Sequence, residues 1–174
     1  MRTLLILLIL GMPFAAQAQL NGPGSAEIAV TGKVIPARST QQLSFETLSD
    51  VNFIQLNEDD TEISVDPIRD ASTGDAGPGH IVAKGQPGAL FRLTFTRTVV
   101  LRNTTDNTTV TVQYLMSSHP TDEQRNSTYV LESSPQFRLN EQGEYHFWLG
   151  GRLSLQGITD GDYEGEFTMD VEYI

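Results

Sequence analysis

The chain has 174 residues, with 11 Lys+Arg against 22 Asp+Glu and a formal net charge of −11. That balance excludes the basic patch or stripe that nucleic-acid binding needs. Cysteine is absent, which excludes disulfides, thiol nucleophiles, iron–sulfur clusters, cysteine-based zinc motifs and a lipid-modified cysteine anchor.

The N-terminus reads MRTLLILLILGMPFAAQA. Arg2 supplies a positive start, an unbroken apolar run follows, and Ala16, Gln17 and Ala18 fit the small-residue cleavage pattern of a secretory signal peptide over residues 1–18. The apolar run is shorter than the ~20 residues that span a bilayer. The mature chain is therefore expected to begin at Gln19, with no membrane association after cleavage. Its destination is the periplasm, the cell surface or the extracellular space. Residues 19–25 (QLNGPGS) form a flexible lead, and residues 26–174 form a single domain.

From there the pattern is strand after strand. AEIAVTGKVIP places Ala26, Ile28, Val30, Gly32 and Val34 on one parity and Glu27, Ala29, Thr31 and Lys33 on the other, and stops at Pro36. LSFETL, VNFIQL and TEISVDP are short strand candidates, followed by the Gly/Asp/Pro-rich loop 70–79. HIVAKG and the long run ALFRLTFTRTVVL come next. Two β-branched runs flank the polar residues 104–107 and read as a hairpin. After the loop 117–127 come TYVLES, QFRLN and EYHFWLGGRLSLQ. The last element, DYEGEFTMDVEYI, alternates most cleanly: Tyr163, Phe167, Met169, Val171 and Tyr173 share one parity. No mature segment has a helical period. The expected fold is all-β, an immunoglobulin-like antiparallel sandwich. Its expected core includes Phe45, Phe91, Leu93, Phe95, Trp148, Phe167 and Val171.

Catalytic and metal chemistry find little support in the spacing. His80, His119 and His146 are far apart in sequence, and His146 reads as a strand histidine beside Phe147 and Trp148. A GxSxG elbow is absent. The acidic runs at residues 58–60 and 160–162 lack a calcium-loop pattern and read as solvated turns. Gly150 and Gly151 lie in an apolar strand and mark a bulge or a close approach. The expectation is a non-enzymatic protein without metal or cofactor.

The two ends carry the most information. The penultimate residue is Tyr173, Gly161 is fourteenth from the end, and alternating apolar residues lie between them. This ending resembles the chaperone-recognition ending of bacterial chaperone–usher fimbrial subunits. QLSFETL, ISVDP, QPGALFRLTF, WLGGRLSL and DGDYEGEFTMDVEY together resemble the bacterial family called domain of unknown function 4402, whose members resemble pilins. Glu46 stands where that family usually has glycine. The resemblance implies a pilin-like sandwich that serves as a subunit or minor component of a surface fimbria. Its partners would be other fimbrial subunits, a periplasmic chaperone and an usher. Ile28, Val30, Gly32 and Val34 would form the donor strand; Gly161, Tyr163, Phe167, Met169, Val171 and Tyr173 would line the groove that a chaperone or neighbour fills. The alternative is a stand-alone secreted or periplasmic module that binds a carbohydrate, a protein or a surface.

Overall fold

The computed structural model describes residues 17–19, 25–28, 31–34, 42–54, 61–71, 77–159 and 162–174. Most of the signal-peptide segment and of the flexible lead lies outside them, as do Val30 and Gly161. The strands in chain order are β1 (Gln17–Gln19), β2 (Ser25–Ile28), β3 (Thr31–Val34), β4 (Ser44–Ser49), β5 (Val51–Ile54), β6 (Glu62–Val65), β7 (Gly79–Lys84) and β8 (Leu90–Phe95). They continue with β9 (Thr98–Asn103), β10 (Thr109–His119), β11 (Thr128–Tyr129), β12 (Gln136–Arg138), β13 (Glu144–Ser154), β14 (Asp162–Glu164) and β15 (Thr168–Tyr173). The one helical element among the described residues is a single 3-10 turn, Gln124–Asn126.

The strands form an all-β sandwich. The larger sheet has the order β1-β14-β9-β10-β13-β7-β4, with β11 added to β10 and β6 to β13. The smaller sheet has the order β12-β8-β15-β3, and β2 pairs with β5 as a separate ribbon. Period-2 alternation dictates this layering, because every second side chain must leave water on the same face. β9 shows it plainly: Val99 and Leu101 are buried, whereas Thr98, Val100 and Arg102 are exposed. Aromatic rings join the two sheets. Phe91 of β8 lies 6.0 Å from Tyr145 and 6.3 Å from Phe147 of β13, both edge-on.

The expected core is largely the observed one. Phe91, Leu93, Phe95, Phe167 and Val171 belong to the central apolar cluster, and Phe45 packs against it while partly exposed. Trp148 is also buried, but it lies outside that cluster. Phe147 and Leu149 take the inward positions, so Trp148 faces away from the smaller sheet. There it is covered by loops rather than by a second sheet.

Two long apolar runs divide between the sheets. Residues 89–101 split into β8 and β9, which belong to opposite sheets. The Arg97 guanidinium holds the crossing: Nη2 donates to the carbonyls of Val130 (3.1 Å) and Glu132 (2.6 Å). The final element, expected to run unbroken from Tyr163 to Tyr173, is likewise β14 in the larger sheet and β15 in the smaller one. Gly165 lies between them. A Cβ there would press on the Leu101 side chain and come within 3.1 Å of the Val100 carbonyl oxygen, so the chain crosses where no side chain fits.

Tyr114 sits inside this core, with its ring 4.7 Å from that of Phe167. Among the described residues its buried hydroxyl has no hydrogen-bond partner, and burial pushes its pKa upward. Tyr114→Phe keeps the ring and removes the unsatisfied group. It is expected to raise stability by about 1 kcal/mol in urea unfolding. A loss of similar size would show that the hydroxyl is bonded in solution.

Candidate functional site

β15 is the strand on which the site expectation centres. β8 pairs antiparallel along one edge, with Met169 opposite Phe95, Val171 opposite Leu93 and Tyr173 opposite Phe91. Met169 and Val171 are buried, so their side chains form the floor of the apolar face. The C-terminus is tied down as well. The Tyr173 hydroxyl accepts a hydrogen bond from the Gln86 backbone N–H (3.0 Å), and the Ile174 N–H donates to the Leu90 carbonyl (3.1 Å). Arg92 and Glu172 form an ion pair of 2.6 Å across the outer face.

The other edge of β15 is taken by β3, which runs parallel to it. Gly32 lies opposite Met169 and Val34 opposite Val171. Of the four expected donor residues, Gly32 and Val34 therefore lie beside the expected groove strand of the same chain. Ile28 instead belongs to β2 and lies opposite Val51 of β5; Val30 is outside the described residues. Of the expected groove residues, Phe167, Met169, Val171 and Tyr173 gather at or just before β15. Tyr163 is fully buried in β14, with its hydroxyl donating to the Thr159 carbonyl at 3.0 Å.

β1 covers the edge of β14, with Gln19 opposite Asp162 and Gln17 opposite Glu164. The expected cleavage after Ala18 falls inside this strand. Among the described residues no helix is long and apolar enough to cross a membrane.

Glu46 also has a clear place. It carries a 2.6 Å ion pair to Lys84, which reaches Glu144 at 3.3 Å. Hydrogen bonds to Glu46 first, then to Glu144, raise the Lys84 pKa. The Glu46 side chain thus ties β4 to β7, and through Lys84 to β13. The register slips just beyond it, between Thr47 and Ser49.

Sequence spacing missed one juxtaposition. The three histidines lie on adjacent strands of the larger sheet, at the same end. His119 of β10 is opposite His146 of β13, and His80 of β7 is opposite Trp148. Only the antiparallel register, which spacing does not reveal, brings them together.

Two loops roof this outer face. Gln124 Nε2 donates to the carbonyls of Pro67 (3.0 Å) and Asp70 (2.7 Å), and Ser117 Oγ donates to Pro67 (3.2 Å). Asp66 shapes the first loop by accepting from the backbone N–H of Ile68 (2.9 Å) and Arg69 (3.2 Å) and from the Tyr129 hydroxyl (3.0 Å). Burial opposes ionisation of Asp66, but these hydrogen bonds outweigh it and hold the pKa below its ordinary value. Asp66→Ala is expected to cost about 1 kcal/mol at neutral pH. The depressed folded-state pKa makes that contribution full above the unfolded value of about 3.9 and lost as pH falls through the folded value. Melting temperatures of wild type and variant should therefore converge in acid; a constant gap down to the lowest pH would contradict the assignment.

The architecture is that of an all-β sandwich domain built from two sheets around one apolar core. The family profile described as Domain of unknown function (DUF4402) matches residues 32–173, and the chain belongs to that family. No curated protein and no solved structure matched the chain.

Proposed function

We propose that this protein is an exported structural subunit, or minor component, of a surface fimbria assembled by strand donation, with no catalytic role. A periplasmic chaperone and an usher would be its assembly partners, and other subunits its neighbours in the fibre. The observation that carries this reading is the composition of the β15 edge. β15 has an apolar face of Met169 and Val171, and its outer edge is occupied by the four residues of β3 in parallel register. Parallel pairing is slightly weaker per residue than antiparallel pairing. A longer antiparallel strand from a neighbour, or one from a chaperone, would replace it with more backbone hydrogen bonds.

The donor in this scheme is the neighbour's segment 26–34. Exchange requires that segment to leave both β5 and β15 and to become one continuous strand carrying Ile28, Val30, Gly32 and Val34. The second reading, a stand-alone binding module, draws on the same observation: β3 of the chain already closes its own sandwich. Ile28→Asp or Val30→Asp separates the two. An unpaired charge in an apolar groove costs several kcal/mol. Fibres should be lost while the exported subunit still accumulates. Fibres equal to wild type, or wild-type protein purified as a stable monomer with protected β3 amides, would favour the stand-alone module.

A further inference from the structure

We propose that His80 Nε2, His146 Nδ1 and Asp122 Oδ1 bind one divalent first-row transition ion such as zinc on the outer face of the larger sheet. The two nitrogens are 3.1 Å apart. His80 Nε2 is 3.8 Å from Asp122 Oδ1, and all three ligand atoms lie within 4.8 Å of one another. Around a tetrahedral zinc with bonds of ~2.0–2.1 Å, donor atoms stand about 3.3–3.4 Å apart. The imidazoles are therefore already near ligating separation. The carboxylate, on a mostly exposed side chain, closes the remainder by rotation.

The surroundings match a built site. The His146 and His80 side chains are only 8% and 14% exposed, so both rings are held by packing rather than free in water. Trp148 stacks on His80 at 5.0 Å and 16°, which fixes that ring plane. The second nitrogen of His146, Nε2, faces Glu144 Oε2 at 3.9 Å. With a small movement, that carboxylate would orient the ring as outer-shell carboxylates do for metal-bound histidines. Two nitrogens and one oxygen without a thiolate suit zinc, copper or nickel better than calcium. Three protein ligands leave a position open to water or to a side chain of another molecule. His119 falls outside this cluster of ligand atoms, and its Nδ1 contacts the backbone N–H (3.2 Å) and hydroxyl (3.0 Å) of Thr121 in the adjacent turn. This site lies on the larger sheet, away from β15, so it stands or falls independently of the fibre reading.

A hydrogen bond between two neutral imidazoles would give the same nitrogen separation, and the experiment must distinguish the two. Untagged exported protein, stripped with a chelator, is titrated with zinc by calorimetry and with copper(II) by fluorescence. The chain has a single tryptophan, so Trp148 reports directly on its stacked partner. The expected result is one zinc per chain and stoichiometric copper quenching reversed by chelator. His80→Gln and His146→Gln should each weaken binding at least about a hundredfold and Asp122→Asn about tenfold, whereas His119→Ala binds as wild type. Absence of saturable binding at submillimolar ion would overturn the proposal, as would unchanged affinity in a folded His80→Gln/His146→Gln double variant. Should the histidine variants fail to fold, Asp122→Asn decides: wild-type affinity in that loop variant overturns the three-ligand assignment.

Discussion

Phe91→Ala is expected to destabilise the domain by about 3–5 kcal/mol, the upper range for a single core truncation. Phe91 is fully buried near the start of β8. Its ring meets Phe137 at 5.6 Å, Tyr145 at 6.0 Å and Phe147 at 6.3 Å, so one side chain touches a strand of its own sheet and the facing sheet together. Its backbone lies opposite Phe137 of β12 and Tyr173 of β15. Truncation removes apolar contact and leaves a cavity that flanking strands, fixed by their hydrogen bonds, cannot fill. Phe91→Leu should cost much less, because most of the volume remains. Urea unfolding followed by circular dichroism measures both. A loss below about 1 kcal/mol for the alanine variant would show that the sheets are not clamped here.

Gly150→Ala should also be damaging, despite adding a single methyl group. β13 changes partner at this point: Leu149 lies opposite Gly79 of β7, and Gly151 opposite Val65 of β6. A Cβ at Gly150 would run into the Val65 carbonyl oxygen and come within 2.9 Å of the Pro67 ring. Backbone cannot rotate away as a side chain can, so overpacking of about 1–3 kcal/mol is expected, with valine worse. Gly157→Ala is the control. Its φ is +74° but a Cβ there would meet nothing within 4 Å, so only the left-handed backbone penalty of about 1 kcal/mol applies. Equal losses at the two positions would mean that the β6–β13 approach is looser than described.

Much of this fold could be read from the sequence because alternation is a local property. Leu93 with Phe95, and Phe167 with Val171, needed no long-range information to be placed inward. The crossings at residues 96–97 and 165–167 were hidden for the opposite reason. Parity continues through each crossing, so the apolar pattern reads as one strand while the backbone changes sheet. Trp148 shows a further limit. In β13, every residue from His146 to Gly151 is buried, because loops roof the outer face, and a roof made by residues 66–70 and 119–127 leaves no period in β13 itself. The histidine pair was invisible to spacing because sixty-six positions separate its members. The parallel pairing of β3 with β15 joins the two ends of the chain, which no local pattern encodes.

Under the strand donation proposed above, the β3 position beside β15 is filled from a neighbouring subunit in the assembled protein. A thiol cross-link tests it most directly, since the natural chain contains no cysteine. Lys33 and Asp170 lie opposite each other in the β3–β15 register. A Lys33→Cys/Asp170→Cys variant, treated at the cell surface with a short bifunctional thiol reagent, has only these two groups to join. With donated strands, the expected product is a ladder of covalently linked subunits on a denaturing gel. Monomers alone, each carrying an internal link, would contradict it.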